Sequence, residues 1–299
     1  MQANHDDVSV ISRLVYDLCG LTLDTSKGYL IESRLGPIAR ASGCTSFAEL
    51  AFKARSPENH SLQNAIIDAI TTQETLFFRD KTPFDVLQYK VLPDLIDARA
   101  RCNGIRRLHI LSAACSTGQE PYSIAMTICE TIPDLHLWDV NILGIDISND
   151  AIRRASQGCY TPQEIQRGMK PELLNKYFQP NGKGWKIKDE VRALVSFARR
   201  NLLHPLMDLG PFEIIFCRNV AIYFDAQTRR NLFFRLADRL TPNGYLFTGS
   251  SECLSDLGPR FVPRNYCRGT YYQPSLPTLQ QARLPTDLYA APAPLLQKL

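Results

Sequence analysis

"AACSTGQEPYS", residues 113–123, lies between the apolar run Leu108-His109-Ile110-Leu111 and Ile124-Ala125-Met126. The pattern predicts a buried strand, a tight loop and the start of a helix. That is where an open α/β sheet holds a nucleotide-like ligand. Two features turn the stretch away from a dinucleotide. It has one glycine, Gly118, where the phosphate-binding fingerprint uses three. It also carries Glu120 where a pyrophosphate would lie, and a carboxylate repels phosphate.

Outward from this loop the chain divides. Before it, residues 8–70 read as helices. Val8, Ile11, Leu14, Val15 and Leu18 recur at helical spacing up to Gly20, and further helices are expected over Ser26–Ala41, after Thr45-Ser46, and over Leu62–Ile70. After it, apolar runs at 108–113, 141–146, 194–198, 213–217 and 244–248 alternate with helical patterns near 120–131, 149–157 and 226–240. That alternation predicts a mostly parallel sheet covered on both faces. A short antiparallel edge hairpin is expected near 260–272. "NGKGWKI" points to a small β insertion at about 159–193. The expected organisation is a helical domain over 1–70, a linker over 71–90, an α/β domain over 91–273 and a proline-rich, extended tail over 274–299.

Composition narrows the function classes. Hydrophobic residues make up 44% and charged residues 21% of the chain, as in ordinary globular proteins. No apolar run approaches the roughly 20 residues of a membrane helix, and "MQANHDDVSV" does not read as a signal peptide. The nine cysteines form no CxxC pair, and no zinc spacing occurs. The expectation is a reduced, cytoplasmic protein without a metal. Charge is uneven: residues 1–70 hold six Lys/Arg against eight Asp/Glu, residues 151–200 eleven against four. A basic segment of that kind fits an acidic partner surface, or is a solvated face.

The opening loop makes sense for S-adenosylmethionine. This ligand has no phosphate and presents an ammonium, a sulfonium, a ribose diol and adenine. Glu120 is then a partner for the ammonium. The competing reading is structural: Thr117-Gly118-Gln119-Glu120 as a capping box, or, because Pro121 favours the first helical position, Glu120 as the N-cap. Asp146 ends the second strand in "GIDIS", where an acid reaches ribose hydroxyls. It could instead cap the helix near Asn149, a task Ser148 could equally take. Cys217 ends a buried strand and reads as core, since no histidine stands by to make it a thiolate nucleophile. His109, His136 and His204 have no metal-ligand spacing.

"TTQETLFFRD" (71–80), "SAACSTGQEPYSIAM" (112–126), "GIDIS" (144–148), "GCY" (158–160), "RRNLL" (199–203), "FCRNVAIYFD" (216–225) and "GYLFTGSSE" (244–252) occur in this order. Over about residues 10–272 the chain thereby resembles the chemotaxis receptor methyltransferase family (CheR). The resemblance implies a small N-terminal helical bundle and a Rossmann-like methyltransferase domain with an antiparallel β insertion. It further implies S-adenosylmethionine-dependent methylation of glutamate side chains on the cytoplasmic domains of chemoreceptors. Carried over residue by residue, cofactor contacts fall on Gln73, Thr75, Arg79, Glu120, Asp146, Asn201, Leu202, Arg218 and Asn219, and the catalytic pair on Arg79 and Tyr223. Gln73 stands where the family commonly has asparagine, and Gln119 where an acid is usual.

The implied chemistry needs no strong base, because a carboxylate is already ionised at neutral pH. The enzyme must desolvate it and align one oxygen with the S–CH3 bond. Arg79 could capture the substrate's or the cofactor's carboxylate, and Tyr223 could orient the attacking oxygen. The family's arginine row on the second helix is reduced here to Arg34 and Arg40. Either the receptor contact has moved to the basic insertion (Lys183, Lys186, Lys188, Arg192) or the substrate differs. Two alternatives are a methyltransferase acting on RNA or a small molecule, and a non-catalytic module that binds cofactor or receptor. The insertion has no aromatic stacking cluster interleaved with its cations, so no nucleic acid partner is expected.

Overall fold

The computed structural model describes residues 3–24, 28–101 and 106–275. The start expected for the second helix at Ser26, and the proline-rich tail beyond Ser275, lie outside the described residues.

Four helices form the N-terminal bundle: α1 (His5–Cys19), α2 (Gly28–Ala41), α3 (Phe47–Ala54) and α4 (His60–Ile70). α1 begins in a reciprocal capping box between Asn4 and Asp7 and ends at Gly20, whose φ of 75° is left-handed. Ile11, Leu14 and Val15 bury one stripe of α1 against Ile31, Leu35, Phe47 and Ile66, so the bundle has a core of its own. The sequence reading does not anticipate the helix that follows. α5 (Thr82–Val86) runs through a π turn at Leu87–Val91 into α6 (Leu92–Arg101). Pro93 has no N–H to give, and the π turn just before it takes up the mismatch.

The remaining elements, in chain order, are β1 (Arg107–Ala113), α7 (Gln119–Thr131), β2 (Asp139–Asp146), α8 (Asn149–Gln157), β3 (Cys159–Tyr160), α9 (Pro162–Gln166), α10 (Pro171–Tyr177), β4 (Phe178–Asn181) and β5 (Gly184–Ile187). They continue with α11 (Asp189–Arg192), β6 (Val195–Arg199), β7 (Phe212–Cys217), α12 (Ala226–Ala237), β8 (Leu240–Thr248), β9 (Phe261–Tyr266) and β10 (Gly269–Pro274). The main sheet has the order β6-β2-β1-β7-β8-β10-β9. β6, β2, β1, β7 and β8 are parallel; β10 and β9 close the edge as an antiparallel hairpin. Successive strand residues serve opposite faces: Ile110 and Ile214 join the core under α7, while Leu111 and Ile215 pack against Leu232, Phe233 and Leu236 of α12.

The expected insertion is a three-stranded sheet, β3-β5-β4, rather than a lone hairpin, with α9, α10 and α11 around it. From β1 the chain runs outward to β2 and β6, then returns to place β7 on the other side of β1. The crevice between the carboxyl ends of β1 and β7 is thus the topological switch point, where open α/β sheets take ligands.

Candidate active site

The loop after β1 is bent by backbone that side chains rarely adopt: φ is 60° at Ala114, 50° at Ser116 and 95° at Gly118. A Cβ on Gly118 would lie 2.9 Å from the Ala155 Cβ, so this position requires glycine. α7 starts at Gln119, and Gly118 is its N-cap with no side-chain cap bond. Both capping readings of Glu120 are thereby corrected. Its carboxylate sits in the first turn, where Oε1 accepts from the Ser112 hydroxyl at 2.8 Å and Oε2 from Arg218 Nη1 at 2.8 Å.

Arg218 follows β7 directly and its side chain is only 1% exposed. Besides Glu120, it donates through Nη2 to Asp80 Oδ2 and to the Arg79 carbonyl, each at 2.8 Å. Its guanidinium lies 5.7 Å from the centre of the Phe84 ring. Arg218 therefore spans the switch point and is occupied by protein partners: it fixes Glu120 and ties down the segment before α5. Asn219 comes next with φ of 58°.

At the end of β2, Asp146 is buried. Oδ2 accepts from Ser116 N at 2.8 Å and Oδ1 from Ser148 N at 2.9 Å. Burial pushes its carboxyl above the usual aspartate range, against these backbone bonds, which pull it down. The cap of α8 falls to Ser148, which accepts from Ala151 N, so Asp146 is free of that task. A carboxylate has about four acceptor sites, so Asp146 keeps acceptor capacity beyond its backbone bonds. After β6, Asn201 donates through Nδ2 to Leu18 O at 2.8 Å and accepts from Leu203 N, which stitches the end of α1 to the sheet.

Residues 71–81 form a strap across the crevice. Ser116 Oγ lies 3.0 Å from Gln73 Oε1, and Phe78 N donates to Ser123 Oγ at 3.0 Å. Arg79 donates through Nη1 to the Glu74 carbonyl at 2.9 Å. Left-handed φ values recur at Phe78, Asp80 and Lys81. The strap is also anchored in the insertion. Phe77 is fully buried edge-on to Tyr160 and Phe178, with ring centres 4.9 and 5.6 Å away. Glu74 is ion-paired to Arg167. A side chain on Gly168 would collide with the Phe77 carbonyl. The Tyr160 hydroxyl in turn donates to Thr117 O in the β1–α7 loop at 3.0 Å.

These pieces enclose a cavity of about 320 Å³. Gln73, Thr75, Arg79, Glu120, Asp146, Asn201, Leu202, Arg218, Asn219 and Tyr223 all line it. Sequence reasoning missed the roof, where Leu21, Thr22, Leu23, Tyr29 and Arg34 come from the N-terminal bundle. Thr22 N donates to the Tyr223 carbonyl at 3.1 Å. Arg34 donates to the Ile70 carbonyl at 2.9 Å and so closes the end of α4. Ser112, Asp80 and Glu252 were also missed as site residues, although all three lie inside the quoted motifs.

The chemistry of the lining is specific. The lining carries the carboxylates of Glu74, Glu120 and Asp146, the buried Arg218 guanidinium is already paired with Glu120 and Asp80, and no glycine is among the lining residues to cradle a phosphate. Such a site favours a cationic ligand that also offers hydroxyls. The cavity volume falls in the usual small-molecule range. Among the described residues no cluster of His, Cys, Asp or Glu is arranged for a metal, and no helix is long and apolar enough to cross a membrane.

Fold and site define a methyltransferase of the S-adenosylmethionine-dependent class. Comparison with known proteins narrows this further. The family model for the CheR methyltransferase all-alpha domain matches residues 6–71, and that for the CheR methyltransferase SAM binding domain matches residues 73–266. The chain is 40% identical to chemotaxis protein methyltransferase 1 of Pseudomonas aeruginosa over 91% of its own length and 99% of the relative's. It is 40% identical to chemotaxis protein methyltransferase Cher2 of Pseudomonas putida, over 85% and 93%. It is 41% identical to the chemotaxis protein methyltransferase of Vibrio parahaemolyticus, over 84% and 90%. The chain belongs to the CheR methyltransferase family, and its cofactor is S-adenosylmethionine.

Proposed function

We propose that the protein methylates glutamate side chains on the cytoplasmic domains of chemoreceptors, working in the cytoplasm. The observation that carries this reading is the convergence of ten residues from five separate chain segments on one cavity at the switch point. Asp146 holds the ribose diol with its spare lone pairs. Glu120, oriented by Arg218 and Ser112, takes the ammonium. Leu202 and Asn201 border the adenine, and Gln73 and Thr75 close the strap over the ligand.

The cofactor supplies an electrophilic methyl group on a sulfonium. A glutamate oxygen forms the new C–O bond as the S–CH3 bond breaks, and the electron pair goes to sulfur, with no proton to move. The protein's work is therefore positioning and water exclusion. Arg79 has guanidinium donors to spare and captures the incoming carboxylate. Tyr223, 40% exposed at the mouth, directs one of its oxygens.

For the receptor, the insertion offers fewer unengaged cations than its composition implies. Lys188 donates to Lys176 O, and Arg192 is bound to Asp189 and Ser156 O. Lys183 and Lys186, whose side chains make no ion pair or hydrogen bond among the described residues, are the contacts we propose for an acidic receptor surface.

The test is transfer of labelled methyl from S-adenosylmethionine to receptor-bearing membranes. Base-labile label on the receptor band, released as methanol, is expected. Base-stable label, or label recovered in RNA, would overturn the assignment.

A further inference from the structure

We propose that Glu252 is a positioning residue for methyl transfer, acting through the loop that carries Asn219 and Tyr223; this rests on the function proposed above. Glu252 is 3% exposed and has no cationic partner among the described residues. Its carboxylate is instead surrounded by backbone donors. Oε2 accepts from Asn219 N at 2.7 Å and Gly249 N at 2.8 Å. Oε1 accepts from Val220 N at 3.0 Å, Ala221 N at 2.8 Å and Ile222 N at 3.3 Å.

Four of these five donors belong to consecutive residues. They include the free N–H groups that open the 3-10 turn Ala221–Tyr223. One anion thus neutralises the positive end of that turn and holds Asn219 in its left-handed conformation. The turn delivers Tyr223 to the cavity mouth, and Asn219 to its wall. Neither side chain touches Glu252 in a way that would make it part of the reacting group. It sets where they stand.

The neighbourhood is shaped for this arrangement. A Cβ on Gly249 would lie 2.6 Å from Glu252 Oε2 and 2.9 Å from Asn219 Nδ2, so only glycine lets the carboxylate reach the loop. The Thr248 hydroxyl donates to the Glu252 carbonyl at 2.8 Å, fixing the backbone from which the side chain extends. Glutamine has the same shape but only one acceptor oxygen. Whichever way its amide turns, two hydrogens face backbone N–H groups.

The experiment is a double-mutant cycle on methylation of receptor-bearing membranes at saturating cofactor, with folding checked by thermal melting. Saturation removes any effect of Asn219 on cofactor affinity from kcat. Glu252→Gln is expected to lower kcat at least tenfold in the parent chain and less than twofold in the Tyr223→Phe background. Gly249→Ala, which displaces the carboxylate without replacing it, should show the same non-additivity and serves if Glu252→Gln does not fold. Equal fold losses in both backgrounds would overturn the inference while leaving the role of Tyr223 standing. An unchanged kcat for Tyr223→Phe alone would instead remove that role from the proposed function, and the positioning role with it.

Discussion

Replacing Asp146 by alanine separates a ligand contact from a loop organiser. In the free protein its two oxygens accept the N–H groups of Ser116 and Ser148, at 2.8 and 2.9 Å. A hydrogen bond to a charged group contributes about 1.5–3 kcal/mol. Losing the diol contact should therefore weaken S-adenosylmethionine binding roughly 10- to 140-fold. Burial raises the Asp146 pKa, so ionising it costs stability in the free protein, and that cost is absent only at pH low enough to protonate it. Ribose hydroxyls that donate to the carboxylate lower the pKa again. Affinity should then rise as pH increases through the Asp146 pKa and level off above it, whereas the alanine variant should show no such rise. Calorimetric titration with S-adenosylmethionine and S-adenosylhomocysteine at several pH values measures both effects. A dissociation constant within twofold of the parent, with the melting curve intact, would mean that Asp146 only shapes the loop.

Arg218→Met leaves Glu120 and Asp80 without their counter-charge. Because Asp80 is 39% exposed, we take the low end of the buried-pair range, about 3 kcal/mol, a fall in Tm of about 6–12 °C; an unchanged Tm would show that the guanidinium is dispensable to the fold. Reversing Lys183 and Lys186 to glutamate should slow receptor methylation and flatten its salt dependence while leaving cofactor titration untouched. Equal rates for variant and parent at low ionic strength would mark the insertion as a solvated face. The Asp225 carboxyl is held down at about 2 by the Thr228 backbone N–H and then the Tyr16 hydroxyl. Its stabilisation is present above the ordinary aspartate pKa and lost as pH falls through about 2. Tyr16→Phe should shrink that acid-sensitive loss, read from urea midpoints between those limits, and parallel curves for the two proteins would contradict it.

The strands were legible because each is a short apolar run set between polar turns, and the parallel order followed from their alternation with helices. α5 and α6 were not. The π turn at Leu87–Val91 shifts the apolar stripe by one residue, which blurs a 3.6-residue period. The site was legible as motifs but not as geometry. Among the described residues seven non-glycine positions have positive φ, and all but Cys267 lie in the strap, the β1–α7 loop or at Asn219. A reader looking for glycine at bent backbone passes over alanine, serine and phenylalanine. Glu120 shows the same limit. Its charge points to a ligand, but nothing in the sequence tells that Arg218, 98 residues away, is the side chain that holds it.

The burial of Phe77 against Tyr160 and Phe178 also bears on how the chain assembles. The strap is made early and the ring's partners late. At ribosomal rates of about 5–20 residues per second, the roughly 100 residues between Phe77 and Phe178 take about 5–20 s to appear. Until then a large aromatic ring has no home. The N-terminal bundle, with a core of its own, can consolidate during that interval. The cofactor crevice has to wait, because its strap closes only when the insertion arrives. A nascent chain halted before the insertion should thus carry a compact helical domain, a protease-sensitive segment at 71–81, and no capacity to bind S-adenosylmethionine.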